Sequence, residues 1–332
     1  MKNMYFAGIA CLLLLACQGQ NSPEESGHPV NLILDTDFGP DYDDVGAMAL
    51  LYCLADSGKV NVLATVSSNH HDRVVPCIDV INNYFGYPDM PVGAPKSEGG
   101  VNLTTWHKIK WTEYLPEKYP HRWKHTADAP DAVEVYRRIL QEAPDSSITI
   151  CTIGFFPNLR DLLISGPDSV SPLTGKELAA RKVKKMVSMA GRFPEGEEFN
   201  VQMDTPASVM AINQWPGEIV FCGFEIGENI LTGKSLLQEG EKESPVWEAY
   251  NLCMAEGDSA GRMSWDQAAV WVAVKGSDPY FATEKGRCII NEDGSNRWES
   301  DPAGKHLRLI EKTDPEQIAR VIESYMTYRP GK

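Results

Sequence analysis

The sequence has few basic residues for its size. Its 332 residues include 31 Lys and Arg against 46 Asp and Glu, which gives a formal net charge of −15. Contact with nucleic-acid phosphates or with an anionic membrane surface requires a basic face, which this composition does not favour. We therefore expect no nucleic-acid partner, whereas an uncharged small molecule meets no electrostatic barrier.

Long apolar runs, close cysteine pairs and internal repeats are also missing. No internal segment approaches the roughly 20 apolar residues that a transmembrane helix needs. Of the eight cysteines, Cys11 and Cys17 lie at the front end. The other six form no C-x-x-C pair, which argues against thiolate metal ligation and favours buried free thiols. The length suits one large α/β domain or two modest ones, and the hydrophobic share of 42% is ordinary for a globular protein.

The first 17 residues have the pattern of an export signal. Lys2 precedes an apolar run at residues 9–16, which is too short to span a membrane and is typical of a signal peptide. The four residues L-L-A-C resemble a bacterial lipobox, in which Cys17 becomes the lipid-bearing amino terminus. Ordinary secretory cleavage near the same place is the alternative. The pattern predicts a protein of the bacterial cell envelope that contacts a membrane only through its lipid anchor.

Two further segments follow the signal. Residues 18–29 are polar and contain Pro, Gly, Ser and Glu, which predicts a flexible tether. Residues 30–330 contain β-rich and helical patterns in turn, which predicts a single α/β domain with a mostly parallel, open sheet flanked by helices. Among these patterns are a helix predicted over residues 128–143, with Pro130 near its start, and a strand predicted over residues 218–225. Self-association into a homo-oligomer is left open.

The segment from Asn31 to Ala55 is the most informative part of the chain. Residues 31–34 are apolar and predict a strand buried on both faces, while residues 45–52 carry apolar side chains at helical spacing. Between them lie five aspartates: Asp35, Asp37, Asp41, Asp43 and Asp44. Like charges this close repel one another unless a cation or hydrogen-bond donors compensate them. A helix cap uses one or two acids, so five favour a metal site at the carboxyl end of the strand over a solvated acidic turn.

The same residues carry a resemblance to a known family. The pattern D-T-D-x-G-x-D-x-D-D resembles the amino-terminal signature of the nucleoside hydrolases, which use Ca²⁺ to cleave the N-glycosidic bond of ribonucleosides. The usual form is D-x-D-P-G-x-D-D, so two residues around Asp41 look inserted here. The resemblance covers roughly Val30 to Arg329 and implies a Rossmann-like fold with its site at the carboxyl edge of the sheet.

Later segments resemble further motifs of that family. Ile153 follows a predicted strand and precedes a glycine, at the position whose backbone carbonyl binds Ca²⁺ in the family. The tripeptide at Glu198 and Asn200 matches the E-[FW]-N that binds ribose hydroxyls, and the following D-T-P resembles the D-P that opens the next helix. Asn69 is nearest to an asparagine that contacts the ribose, and Asp266 fits the aspartate that closes the metal site.

The resemblance implies a role for each matched residue. The implied Ca²⁺ ligands are Asp37, Asp44, the carbonyl of Ile153 and Asp266, with Asp35 orienting this shell. Asp37 is also the implied general base, which takes a proton from the attacking water. The residues implied to bind the substrate are Asp43, Asn69, Glu198, Asn200 and Trp265.

Trp265 departs from the usual family pattern. The residue before the closing aspartate is a histidine in many members, where it is the proposed proton donor to the leaving base, and an indole cannot act as an acid. Purine-preferring members also have tryptophan here and stack it on the base, so the resemblance implies a purine preference. The alternative is that Trp265 packs in the core against the helix at residues 270–274.

Residues 88–124 show no clean periodicity. A long irregular segment in a compact domain is usually functional or disordered. Its tryptophans, Trp106, Trp111 and Trp123, argue against disorder. They predict a loop that brings an aromatic face over the pocket, with core packing as the alternative.

The implied ligand set contains only oxygen atoms. Such a set suits Ca²⁺ better than Zn²⁺, and Mg²⁺ stays open. We therefore predict Ca²⁺-dependent hydrolysis of a ribonucleoside, with a purine preferred, to free base and ribose. The alternatives are hydrolysis of a modified nucleoside and non-catalytic nucleoside binding by a lipid-anchored protein. Asp37, Asp44 and Asp266 together favour the hydrolase, because ribose binding alone does not require three carboxylates.

Overall fold

The computed structural model describes residues 28–97 and 100–331. The predicted signal peptide, Cys17 and nearly all of the predicted tether lie outside these residues, so they stay predictions. Among the described residues, no helix combines the length and the apolar character needed to cross a membrane.

The described residues form twelve strands. In chain order they are β1 (Val30–Thr36), β2 (Val60–Ser67), β3 (Val92–Gly93), β4 (Ile148–Thr152), β5 (Val183–Met189), β6 (Glu195–Glu197), β7 (Ile219–Cys222), β8 (Leu231–Thr232), β9 (Arg262–Met263), β10 (Phe281–Ile290), β11 (Ser295–Ser300) and β12 (His306–Glu311).

The same part of the chain forms thirteen α-helices and a 3₁₀ turn at Thr126–Asp128. The helices are α1 (Asp43–Asp56), α2 (Val74–Tyr84), α3 (Trp111–Lys118), α4 (Ala132–Glu142), α5 (Pro157–Ile164), α6 (Gly175–Lys182), α7 (Phe199–Met203), α8 (Thr205–Gln214), α9 (Phe224–Gly227), α10 (Lys234–Glu239), α11 (Pro245–Met254), α12 (Trp265–Lys275) and α13 (Pro315–Met326).

Ten of the described strands form one sheet, in the order β3-β2-β1-β4-β5-β7-β12-β10-β11-β6. Neighbours from β3 to β12 pair in parallel, whereas β10, β11 and β6 extend the sheet with antiparallel pairs. The prediction of an α/β domain with a mostly parallel sheet is therefore confirmed. Strands β8 and β9 form a separate antiparallel pair.

Strand β1 is covered on both faces, as its apolar run predicts. Leu32 and Leu34 belong to one buried cluster, which includes residues of α1, α2, α11, α12 and α13. Ile33 points the other way, into a second cluster with residues of α4, α5, α6 and α8. Because side chains alternate along a strand, a run of apolar residues fills both layers at once.

Several predicted boundaries differ from the structure. The helix expected from Asp128 begins only at Ala132, because the Asp131 side chain caps it by accepting a hydrogen bond from the Val133 N–H at 2.9 Å. The strand expected over residues 218–225 ends at Cys222. Glu225 lies in α9, where its carboxylate accepts a hydrogen bond from the Phe193 N–H at 3.0 Å.

The order of the strands reverses at β1, which lies between β2 and β4. Open α/β sheets bind ligands at such a switch point, in the crevice beyond the carboxyl ends of the strands. Asp35 is in register with Thr152 of β4, and Thr36 is in register with Ser67 of β2. The residues that follow β1 and β4 therefore leave the sheet side by side.

Candidate active site

The turn after β1 is built around the Thr36 hydroxyl. This hydroxyl donates a hydrogen bond to the Asp44 carboxylate and accepts one from the Phe38 N–H at 3.3 Å. Asp43 and Asp44 form the first turn of α1, where the positive end of the helix dipole favours acids. The turn therefore folds back so that Asp44 lies beside the end of β1.

The end of β4 approaches this turn very closely. A Cβ at Gly154 would lie 2.4 Å from the Asp37 backbone nitrogen and 2.7 Å from the Ser68 hydroxyl oxygen, so any side chain there would force the two strand ends apart. The strand-then-glycine context of Ile153 thus has a physical reason. It brings the Ile153 residue to the cavity that Asp37 also lines.

One cavity at this edge collects most of the predicted site residues. It measures about 210 Å³ and is smaller than two other cavities, of about 500 and 450 Å³, whose walls lack such a cluster of carboxylates. The predicted residues in its wall are Asp37, Asp43, Asp44, Ile153, Glu198, Asn200, Trp265 and Asp266. The remaining wall residues are Pro40, Asp41, Trp106, Met189, Phe199 and Phe224. Chemistry, and not size, therefore distinguishes this cavity.

Two of the carboxylates share one guanidinium. Arg262 is only 7% exposed and donates hydrogen bonds to Asp43 at 2.8 and 3.3 Å, and it also forms an ion pair with Asp41. Burial raises the pKa of Asp41, but the charge of Arg262 and the hydrogen bonds with Asp43 and Arg262 together hold that pKa below its usual value. The pKa of Asp43 stays raised through burial and the nearby charge of Asp41, because one cation cannot compensate two anions fully.

The other three acids have no such partner. Among the described residues, no side-chain donor bonds the carboxylates of Asp37 or Asp266, and Asp44 receives only the Thr36 hydroxyl. Burial, followed by the charges of the neighbouring aspartates, raises the pKa values of Asp37 and Asp266 well above the usual range. Burial also raises the pKa of Asp44 to about 7. Each of these groups would be stabilised by a cation.

Two overlapping sets of acids could hold that cation. The carboxylate oxygens of Asp41, Asp43 and Asp44 lie within 4.8 Å of one another. Asp44 also belongs to the set implied by the resemblance, with Asp37 and Asp266. Since Arg262 already occupies Asp41 and Asp43, the second set is the one that the protein leaves without a positive charge.

Asp35 lies behind the cavity and is fully satisfied by the protein. It accepts hydrogen bonds from the Tyr136 hydroxyl at 2.8 Å and from the Asn158 amide at 3.1 and 3.2 Å. Burial raises its pKa to about 7, although both donors lower it. It lies outside the cavity wall, and its predicted role in orienting the metal ligands stays a prediction.

Glu198 and Asn200 meet the cavity from the start of α7. Glu198 caps this helix, and its carboxylate accepts hydrogen bonds from the N–H groups of Asn200 at 2.8 Å and of Val201 and Gly191 at 3.2 Å. Burial nevertheless raises its pKa to about 7. The Asn200 amide donates to the Ile153 carbonyl at 3.4 Å, which joins the ribose-binding candidate to the metal-ligand candidate.

Asn69 is not brought to the cavity wall. Its amide nitrogen donates to the backbone carbonyls of Asp37 at 3.0 Å and Leu103 at 2.8 Å, and its amide oxygen accepts from the N–H groups of His71 and Leu103 at 3.0 Å. All of its bonds hold backbone segments together. The predicted contact with ribose stays a prediction, and this structure gives Asn69 a role in tying the turn after β1 to the segment at residue 103.

Aromatic side chains form the other wall of the cavity. Trp265 is half-buried, packs on the Phe224 ring at 4.9 Å between centroids, and donates its indole N–H to the Phe224 carbonyl at 2.7 Å. Trp106 is 56% exposed and meets the Phe199 ring edge-on at 5.9 Å. Of the three tryptophans expected over the pocket, only Trp106 lines it, since Trp111 is fully buried and Trp123 packs against the core.

A family model described as inosine-uridine preferring nucleoside hydrolase matches residues 32–320. The chain belongs to this family. It is therefore a hydrolase that acts on N-glycosyl bonds of nucleosides. No curated protein sequence matches the chain.

Solved structures of nucleoside hydrolases share the fold. A purine-preferring ribonucleoside hydrolase from Gardnerella vaginalis aligns at a TM-score of 0.69 and 14% identity, over 90% of this chain and 98% of that one. An inosine-uridine preferring nucleoside hydrolase from Bacillus anthracis aligns at 0.64 and 15%, over 90% and 99%. A plant nucleoside hydrolase aligns at 0.62 and 19%, over 90% and 99%. At these identities the likeness shows the architecture.

Several residues at this nucleoside hydrolase's site were not predicted from the sequence, and Phe224 and Arg262 matter most. Phe224 was assigned to a strand, and its side chain lines the cavity from the start of α9. Arg262 lies three residues before Trp265, in R-M-S-W-D, and drew no interpretation. The signal was the inserted acid at Asp41, because an additional buried carboxylate calls for a nearby cation.

Proposed function

We propose that this nucleoside hydrolase binds one Ca²⁺ and cleaves purine ribonucleosides to free base and ribose. The observation that carries the proposal is the set of three buried carboxylates, Asp37, Asp44 and Asp266, in one cavity wall with no described cation paired to them. An acidic set of this kind is costly unless an ion compensates it.

The donor atoms fit a calcium ion. Three carboxylates and the Ile153 carbonyl offer only hard oxygen ligands, and the described wall of the cavity contains no histidine or cysteine. When bound, the ion supplies positive charge that lowers the pKa of a nearby water molecule. Asp37 then accepts the proton of the attacking water as a general base.

The other polar residues bind and polarise the sugar. Cleavage of the bond from C1′ to nitrogen passes through a sugar with oxocarbenium character. Asp43 and Asn200 would accept and donate hydrogen bonds to the ribose diol, and Glu198 would face the 5′ end. The negative charge of the surrounding carboxylates favours the positive charge that develops on the sugar.

Trp265 supports the preference for purines. Its ring lines the cavity, and its indole N–H is already donated to the Phe224 carbonyl, so the side chain has no proton to offer the leaving base. Stacking of a base on an aromatic ring contributes about 1–3 kcal/mol. Stacking that raises the basicity of a purine ring nitrogen would let solvent protonate the leaving base.

Variants of Trp265 separate stacking from core packing. Trp265→Phe should keep most purine activity, because phenylalanine retains an aromatic face, and Trp265→His should gain turnover of uridine. The measurement is kcat/KM for inosine and for uridine. Core packing alone predicts a lower melting temperature with the same inosine-to-uridine ratio in both variants, and that result would retire the stacking role.

The direct test of the proposed function is an assay of free ribose released from a panel of nucleosides. Purine nucleosides should release ribose faster than uridine, release should stop with a Ca²⁺ chelator, and added Ca²⁺ should restore it. Nucleoside binding without any release of ribose would instead support a binding protein. Release that is insensitive to the chelator would remove the metal from the proposal.

A further inference from the structure

The two overlapping acid sets raise the question of which one the ion selects. Asp41, Asp43 and Asp44 are the tighter set, with oxygens within 4.8 Å of one another. By geometry alone this set would compete for the ion with Asp37, Asp44 and Asp266. A device that disables one set is therefore needed for a single, defined metal position.

Arg262 is held rigidly against the first set. Its guanidinium bonds both Asp41 and Asp43, and its Nη1 lies 3.9 Å from Asp258. It also lies over two aromatic rings, at 5.1 Å from the Tyr42 centroid and 5.2 Å from the Trp265 centroid. Such a buried guanidinium stays charged at every physiological pH.

The surroundings of Arg262 keep this arrangement fixed. The Tyr42 hydroxyl donates to Asp258 at 2.5 Å, so the ring under the guanidinium is anchored at its far end. Tyr42 and Asp41 are the two residues at the position where the motif is longer than the usual family form. The two additional residues thus supply both an acid, Asp41, and an aromatic ring, Tyr42, that packs against Arg262, the arginine whose charge compensates Asp41.

We infer that Arg262 is a positioning residue that fills the Asp41–Asp43 pair with its own charge and so confines Ca²⁺ to Asp37, Asp44 and Asp266. Asp43 is thereby kept off the metal and held in the cavity wall, where the substrate lies. The inference rests on the proposed Ca²⁺ site and adds a selection rule to it. Arg262 takes the place that a second cation would otherwise occupy.

The test counts bound ions by calorimetric titration of the full chain with Ca²⁺. Wild type and Arg262→Lys should bind one ion, since lysine keeps the charge. Arg262→Gln should bind a second ion, or bind the first at least about tenfold more tightly, because a unit charge a few ångströms away is removed. One ion with a dissociation constant within about twofold of wild type would overturn the inference.

Arg308 provides a matched control. It is partly buried, pairs with the Glu284 carboxylate and lies over the Trp298 ring at 5.6 Å. Glu284 does not line the cavity, whereas both acids paired to Arg262 do. Arg308→Gln removes the same charge from the molecule and should leave the number and affinity of bound ions unchanged. A change equal to that of Arg262→Gln would mean that net charge, and not the position of the guanidinium, controls the ion.

A second measurement covers the case in which Arg262→Gln folds poorly. If an ion replaces the guanidinium, Ca²⁺ should raise the melting temperature of Arg262→Gln by more than it raises that of wild type. Adding Asp43→Asn to the variant should cancel this excess, because one of the released carboxylates is gone. An equal Ca²⁺-dependent rise in wild type and variant would contradict the inference.

Loss of the proposed Ca²⁺ site can be distinguished from loss of the role of Arg262. A wild-type protein that binds no Ca²⁺ contradicts the proposed function, and this inference with it. A wild-type protein that binds one ion, with an unchanged Arg262→Gln, contradicts only the role of Arg262.

Discussion

Asp35 and Asp37 are separated by one residue, are both buried, and have opposite surroundings. Asp35 accepts hydrogen bonds from Tyr136 and Asn158 behind the sheet edge. Asp37 faces other carboxylates and has no side-chain donor among the described residues. Aspartates in one motif therefore divide into those that the protein satisfies and those that it leaves for something else. The candidate metal ligands are therefore identified by their lack of a compensating donor or cation, and not by the density of aspartates along the sequence.

The largest effect is expected at Asp37, whose carboxylate has no compensating partner among the described residues. Asp37→Asn should lower kcat by at least about a hundredfold, the usual contribution of a positioned general base, because an amide cannot accept the proton. The melting temperature should be retained or raised, since a buried charge without a partner is removed. The measurement is ribose release at saturating nucleoside.

Asp89→Asn is the control for that substitution, because Asp89 is exposed and does not line the cavity. It should turn over like wild type. An Asp37→Asn protein as active as this control would show that the base has been assigned to the wrong residue.

Asp35, whose carboxylate is satisfied by hydrogen bonds, should behave in the opposite way. Asp35→Ala leaves the Tyr136 hydroxyl and the Asn158 amide without their acceptor, which costs about 1–3 kcal/mol for an unsatisfied buried group. We expect a lower free energy of unfolding in urea, with Ca²⁺ affinity changed less than in a ligand variant. Unaltered stability would mean that these hydrogen bonds do not hold the edge of the sheet.

Asp266→Asn should separate metal binding from folding. Loss of a charged ligand should weaken Ca²⁺ at least about tenfold, because affinity follows the count of charged ligands. Without Ca²⁺ the same variant should be more stable than wild type, by on the order of 1 kcal/mol, since repulsion within the acid cluster falls. Calorimetry and thermal melts with and without Ca²⁺ check both parts. If Asp266→Asn were less stable than wild type in the absence of Ca²⁺, the Asp266 carboxylate would have a stabilising partner in the protein, which would contradict this account.

A buried histidine at the opposite end of the strands extends the comparison to a basic group. The His306 Nδ1 accepts a hydrogen bond from the Cys288 N–H at 3.0 Å, and burial, with Arg287 and Lys305 nearby, lowers its pKa to about 4. The unfolded chain, with a pKa near 6.5, binds the proton first as the pH falls. Stability from this group is therefore present above pH 6.5 and is lost as the pH falls towards 4.

His306→Gln should remove that dependence, because an amide oxygen can accept the same hydrogen bond without titrating. Between pH 7.5 and 5.5, wild type should lose about 1 kcal/mol more unfolding free energy than the variant. Urea denaturation at the two pH values measures the difference. Parallel losses in both proteins would place the titration elsewhere.

Much of the fold could be predicted from local patterns. The apolar run of β1, the helical spacing of α1 and the strand-then-glycine at Ile153 each depend on neighbours in sequence, and all three appear in the structure. The predicted start of α4 was wrong because both Pro130 and Asp131 can signal the start of a helix. The side-chain cap of Asp131 determines that α4 begins at Ala132. The end of β7 was wrong because the apolar pattern runs on into α9.

The site was predictable where a motif names a residue, and less so where a contact joins distant segments. Eight of the predicted residues line one cavity because they follow parallel strands or begin helices at the same edge. Asn69 and Arg262 were beyond such reasoning. The partners of both side chains come from distant segments of the chain. The Asn69 amide bonds the backbone of Asp37, and Arg262 forms an ion pair with Asp43.

The central claim is that the uncompensated carboxylates form the metal site of this nucleoside hydrolase. A crystal structure of the Ca²⁺-soaked protein tests it most directly. We predict one ion at about 2.3–2.6 Å from oxygens of Asp37, Asp44, Asp266 and the Ile153 carbonyl, with Arg262 still bonded to Asp43. An ion coordinated by Asp41 and Asp43, or an Asp266 more than about 5 Å from the ion, twice the ligand distance, would contradict it.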